Sequence, residues 1–215
     1  MPRSITITVL SVLLLVGAQA APIPKERQQP TLYYATRVGD TLIYDDGNSE
    51  SREVITAVEK QNGWLLICYE AKLLLRGHDG DIVYSRTIGV SEKGVFEPRT
   101  SVHVEKGELQ KKWLDEVEPR DWYLRVPVKS GDGWEVTLQG DRKCEVAQLI
   151  YTVHGHEKVT VPAGTYQALR VEMCCTVKGD TGVSETTWYA SGVGKVKWTK
   201  GKNVTVLKSF SPGKE

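Results

Sequence analysis

Leu169-Arg170-Val171-Glu172-Met173-Cys174-Cys175-Thr176-Val177 is the stretch that decides the fold. Leu169, Val171, Met173, Cys175 and Val177 alternate with Arg170, Glu172, Cys174 and Thr176. A period of two puts successive side chains on opposite sides of an extended chain, one side buried and the other wet. Wound as a helix, the same residues would scatter apolar and polar groups around the whole circumference. Working outward, Ala147, Leu149, Tyr151 and Val153 repeat the alternation upstream. Downstream, Val196 and Trp198 alternate with Lys195, Lys197 and Thr199.

Turn signals divide these runs. Pro162-Ala163-Gly164-Thr165 joins the two upstream strands, Pro fixing φ on entry and Gly allowing the positive φ that closes the turn. With that turn, Cys174 and Cys175 are expected opposite Val153 and Thr152. In the first half Asn62-Gly63 joins Val54–Glu59 to Trp64–Tyr69, an Asn-Gly pair suiting the type I′ turn of a β-hairpin. Asp46-Gly47, Asp79-Gly80, Lys93-Gly94 and Lys106-Gly107 punctuate the rest, and Gly192-Val193-Gly194 breaks the chain as a turn or bulge. Only Leu109–Val117 has helical spacing, with Pro119 closing it. The expected fold class is all-β: a curved antiparallel meander, half-barrel-like, either as one long sheet or as two sets of strands.

The chain begins MPRSITITVLSVLLLVGAQA. Arg3, an apolar run from Ile5 to Val16 and Ala18-Gln19-Ala20 form a signal peptide, with cleavage between Ala20 and Ala21. The apolar run falls short of the roughly 20 residues of a spanning helix. Export to the periplasm or extracellular space is expected, with no integral membrane segment after cleavage. The expected organisation is signal peptide 1–20, disordered leader 21–30 and a single β-rich domain 31–211. Within it, halves 31–105 and 120–211 are weakly similar: Arg37-Val38-Gly39-Asp40-Thr41-Leu42 returns as Lys129-Ser130-Gly131-Asp132-Gly133-Trp134.

Cleavage removes one of the 28 basic residues and none of the 27 acidic ones, leaving a balanced mature chain. Nucleic-acid partners need a basic footprint that this chain lacks, and no polybasic run attracts an anionic membrane.

Candidate chemistry is sparse. His154-Gly155-His156 is the one local metal pattern, since imidazoles two apart on a strand share a face about 7 Å apart. Neither His78 nor His103 marks itself as a third ligand, so no metal is expected. No G-x-S-x-G, H-E-x-x-H or Cys–His set is present, and no catalytic residue or cofactor is expected. Gly192 and Gly194 precede no helix that could hold a phosphate. Of Cys68, Cys144, Cys174 and Cys175, at most one pair is expected to bond; Cys174 and Cys175 point to opposite faces. Asn203-Val204-Thr205 matches a glycosylation sequon.

Val126-Pro127-Val128-Lys129-Ser130-Gly131-Asp132-Gly133-Trp134, then Val161-Pro162-Ala163-Gly164-Thr165-Tyr166-Gln167-Ala168-Leu169, then Thr187-Trp188-Tyr189-Ala190-Ser191-Gly192-Val193-Gly194-Lys195-Val196-Lys197 follow one another in this order. The series resembles a TapB-like family of exported bacterial proteins, across roughly residues 120–210. That family is loosely similar to lipoprotein-carrier half-barrels. The first half departs from the pattern, with Ala35 and Leu42 where Pro and Trp would stand. The resemblance implies a fold and an envelope address, and fold does not fix function. Two expectations follow: a non-catalytic envelope protein binding an apolar ligand or lipid, or a structural protein whose concave face is filled by Trp64, Trp122, Trp134, Trp188 and Trp198. An exported hydrolase is a distant third.

Overall fold

A computed structural model describes residues 32–76, 81–97, 104–105, 108–109, 122–138, 147–177 and 180–213. The strands are β1 (Thr41–Asp45), β2 (Ser49–Gln61), β3 (Trp64–Leu75), β4 (Asp81–Ser91), β5 (Gly94–Phe96), β6 (Val104–Glu105), β7 (Glu108–Leu109) and β8 (Trp122–Arg125). The second half continues with β9 (Gly133–Leu138), β10 (Ala147–Val161), β11 (Gly164–Val177), β12 (Asp180–Ala190), β13 (Gly194–Lys200) and β14 (Asn203–Ser211). Twelve of them form one antiparallel sheet in the order β8-β5-β4-β3-β2-β1-β14-β13-β12-β11-β10-β9, and β6 pairs with β7 alone. The fold is all-β, and the described residues contain no helix. Of the stretch expected to be helical, Leu109 lies in β7 and residues 110–117 fall outside the described residues, as do the Asp79-Gly80 and Lys106-Gly107 turns.

The sheet curls past a half-barrel until its two edge strands meet. The indole N–H of Trp134 in β9 donates to the carbonyl of Trp122 in β8 at 3.1 Å, and Trp134 stacks on Tyr151 with centroids 4.9 Å apart. A side chain therefore joins the edges where no ladder does, and the barrel is nearly closed.

The Gly-Asp segments hold two frames with matching hydrogen bonds. Arg37 N–H donates to Asp40 Oδ2 at 2.9 Å, and Lys129 N–H to Asp132 Oδ2 at 2.7 Å. Gly39 N–H donates to Ile55 O and Gly131 N–H to Val153 O, both at 2.8 Å; the return bonds run from Ile55 to Asp40 and from Val153 to Asp132. Both glycines have positive φ, 85° and 92°, which a side chain would strain. Immediately after these anchors each long strand bulges, at Thr56 in β2 and His154 in β10. A bulge bends its strand. Beyond it, the tip of each hairpin reaches a later strand: Trp64 packs against Trp122 of β8, and Ala163 N–H donates to Leu207 O of β14 at 3.1 Å.

The Asn62-Gly63 turn is as expected, with φ of 49° and 81°. Three local expectations change. The second hairpin turns on Pro162-Ala163 alone, and the bulge at His154 removes one more residue from the register, so Cys174 and Cys175 face Ile150 and Leu149 rather than Val153 and Thr152. A bulge at Val196 breaks the alternation in β13, because Trp188 pairs with Lys197 while Tyr189 pairs with Lys195. Lys195, read as the wet face, therefore turns inward beside Trp198. On β11 the apolar face is buried at Leu169 and Val171, 1% and 2% exposed, and only half-buried at Met173 and Cys175.

Candidate functional site

The inner wall is not packed solid. β2 carries Ser51 and Glu53 inward, and the register sets Ser51 opposite Leu73 and Glu53 opposite Ala71 on β3. Across the next ladder Ala71 faces Tyr84 and Tyr69 faces Arg86. A methyl at position 71, between a glutamate and a tyrosine, leaves space that a larger side chain would take. Ser51, Glu53, Tyr69, Leu73, Tyr84 and Arg86 line a cavity of about 410 Å³, walled in addition by Tyr34, Tyr44, Glu97, Glu185, Tyr189, Lys195 and Trp198, with exposed Asp46 at its rim. That volume lies within the roughly 300–1,000 Å³ of small-molecule pockets.

The wall is aromatic and charged at once. Burial pushes the Glu53 carboxyl up to about 7, against the opposing pull of Lys195 and Arg86. Burial likewise lowers the Lys195 ammonium, while Glu185 and Glu53 hold it up. The phenols of Tyr34 and Tyr44 are raised well above their ordinary value, first by burial and then by the charge of Glu53, and Tyr69 is raised by the same causes. Both cations have partners. Arg86 Nε lies 3.3 Å from Glu97 Oε1, and the Tyr123 hydroxyl donates to the same carboxylate. Lys195 Nζ sits 5.2 Å from the ring centre of Tyr123 and 5.8 Å from that of Trp198, within cation–π range.

A second chamber of about 210 Å³ shares Tyr123, Glu185, Tyr189 and Lys195 with the first. Its own wall is more apolar: Leu149, Tyr151, Val171 and Met173. The Gly-Asp anchors relate the two. Counted from Ile55 and Val153, Glu53 corresponds to Tyr151, Tyr69 to Val171 and Ala71 to Met173. Across the next ladder, Tyr84 corresponds to Glu185 and Arg86 to Thr187. The same frame is thus lined twice, once with a carboxylate beside an alanine and once with a tyrosine beside a methionine.

The sites expected from sequence fall elsewhere. His154 and His156 do not share a face. His154 occupies the bulge and bonds Glu172 at 2.9 Å, whereas His156 pairs with inward Leu169 and bonds the Tyr33 hydroxyl at 2.9 Å. Among the described residues no group of three or more His, Cys, Asp or Glu could hold a metal ion. Cys68, Cys174 and Cys175 are free thiols, and Cys68 is buried against the Thr87 hydroxyl at 3.3 Å. Cys144 and the cleavage pair Ala20 and Ala21 lie outside the described residues.

Of the five tryptophans expected to fill the concave face, Trp198 alone lines the first chamber. Trp64 and Trp122 pack with Phe96, Trp134 stacks at the seam, and Trp188 lies between Arg170 and Lys197. Sequence reading passed over Glu53, Arg86, Glu185 and Lys195, because it took polar members of alternating strands as solvent-facing. One signal pointed inward: nine tyrosines against two phenylalanines, an excess of hydroxylated rings that suits a polar interior.

No protein-family model matches the chain, and no curated protein matches it in sequence. Two solved structures share its fold. One, from Bacteroides fragilis, is described as an exported protein with a YmcC-like fold; at 12% identity it aligns with a TM-score of 0.55 over 84% of this chain and 99% of its own. The other, described as a lipoprotein from Parabacteroides distasonis, is 13% identical with a TM-score of 0.55, over 86% of this chain and 100% of its own.

Proposed function

We propose that this is an exported, non-catalytic binding protein of the bacterial cell envelope, whose barrel takes a small amphipathic ligand into its two chambers. Export rests on the leader ending at Ala20 and is supported by the descriptions of both structural neighbours as exported or lipoprotein. The observation that carries the binding role is the pair of joined chambers, polar and tyrosine-rich on one side, apolar on the other. A structural protein gains nothing from leaving that volume unpacked, since filled interiors are the more stable ones. The lip favours an apolar ligand portion as well. Ile82 and Val83 at the β3–β4 hairpin are 51% and 57% exposed, and Ile82 pairs with Leu73 of the cavity wall.

Binding without chemistry is the reading because Glu53, whose carboxyl stands near the range of a general base, shares its cavity with tyrosines and with no imidazole that could relay a proton to the Ser51 hydroxyl. Mass spectrometry of the protein purified from its own host tests the proposal. A small molecule released in near-stoichiometric amount on denaturation is expected. A ligand-free protein that also fails to take up an environment-sensitive apolar dye overturns it.

A further inference from the structure

Glu53 stands among four tyrosines. Its charge acts on the phenols of Tyr34, Tyr44, Tyr69 and Tyr84, which come from the segment before β1 and from β1, β3 and β4. Within the described residues its carboxylate makes no hydrogen bond and no close ion pair. The two cations of the cavity are already engaged. Arg86 is taken up by Glu97, and Lys195 by the ring faces of Tyr123 and Trp198 and by the charges of Glu185 and Glu53. Inside the rim three carboxylates, Glu53, Glu97 and Glu185, face two cations, Arg86 and Lys195, so a negative charge is left for a ligand to answer, and it is framed by rings whose electron-rich faces attract cations. A carboxylate and an aromatic enclosure together are the chemistry that recognises an organic ammonium.

The other chamber supplies the second half of the specification. Where the frame repeats, Tyr151, Val171 and Met173 replace Glu53, Tyr69 and Ala71, and a hydrocarbon finds apolar walls there. The geometry points to an amphipathic organic cation as the ligand, its ammonium beside Glu53 inside the tyrosine enclosure and its hydrocarbon against Val171 and Met173. This rests on the binding role of the cavity. An anionic amphiphile of the same length would add a negative charge to those of Glu53, Glu97 and Glu185 and would have to draw Lys195 away from its rings.

Calorimetric titration with octylammonium, octanol and octanoate separates the possibilities, because the three share one tail and differ in head-group charge. Octylammonium is expected to bind about tenfold or more tightly than octanol, a factor corresponding to about 1.4 kcal/mol. Octanoate is expected to bind weakest. Glu53→Gln should reduce the preference for the ammonium to within about threefold while octanol binding persists. If octanol binds and octylammonium binds no better, or octanoate binds best, the cationic ligand class is wrong and the cavity stands as a binding site. If none of the three binds, the binding role falls and this inference with it.

Discussion

Replacing Glu53 by glutamine removes one ionisable group and keeps its shape. Burial raises the folded carboxyl from 4.5 to about 7, so the folded protein holds this proton more tightly than the unfolded chain. Stability contributed by the protonated form is fully present below the unfolded value of 4.5 and is lost as pH rises toward about 7. At about 1.4 kcal/mol per pKa unit, that loss is about 3.5 kcal/mol undiscounted and about 2–3 kcal/mol once reduced for the solvent contact Glu53 keeps inside the cavity. Glu53→Gln cannot ionise and escapes the loss. Urea unfolding of both proteins at about pH 4.5 and about pH 8 reads the difference directly, since titrating groups that do not feel Glu53 cancel between them. The variant should be nearly equal to the parent at the acidic end and more stable by about 2–3 kcal/mol at the basic end. Lys195 supplies the competing effect. If its attraction to an ionised Glu53 outweighed burial, the variant would be less stable at pH 8, and that outcome would refute the reasoning.

Leu169 is 1% exposed, and Leu169→Ala should cost about 2–5 kcal/mol in denaturant unfolding. Met173→Ala, on the wall of the second chamber, should cost under about 1.5 kcal/mol and instead weaken uptake of an apolar probe. At Gly94, φ is +134° and an added Cβ would lie 1.9 Å from the Leu124 carbonyl oxygen, so Gly94→Ala should lose more than about 2 kcal/mol and speed amide exchange in β5 and β8. Trp134→Phe deletes the N–H that reaches Trp122 across the seam; a loss of about 0.5–1.5 kcal/mol, with faster exchange confined to β8 and β9, is expected. Intact-mass measurement of the exported protein should give a chain beginning at Ala21, and a chain retaining Met1 would remove the basis for export.

The strands were legible because period two survives any tertiary context that buries one face. Leu169 and Val171 inward, and Asn62-Gly63 as the closing turn of the first hairpin, needed no more than that. The bulges were not legible. Nothing in His154 or Val196 distinguishes a bulged residue from its neighbours, and one extra residue reverses every face beyond it, which separated the two histidines and turned Lys195 inward. The cavity was hidden for a different reason. Alternation equates polar with solvent-facing, which fails when the interior of a barrel holds ionisable groups. Glu53 sits beside Ala71 in space through a β2–β3 register of eighteen residues, and no local pattern announces that pairing.

The repeated frame argues that Glu53 at its inward place is a selected property of one half rather than a by-product of the fold. Both halves anchor through a Gly-Asp turn and bulge immediately after the anchor. A barrel built on this frame can line its inner wall with Tyr151, Val171 and Met173, as the second half does. The first half puts Glu53, Tyr69 and Ala71 at the corresponding places. It thereby accepts a carboxylate held near neutrality and a larger void, both of which cost stability. Folding gives no return for either choice. A ligand that brings a positive charge to Glu53 and atoms to the void would offset both at once, because whatever binds only the folded state stabilises it.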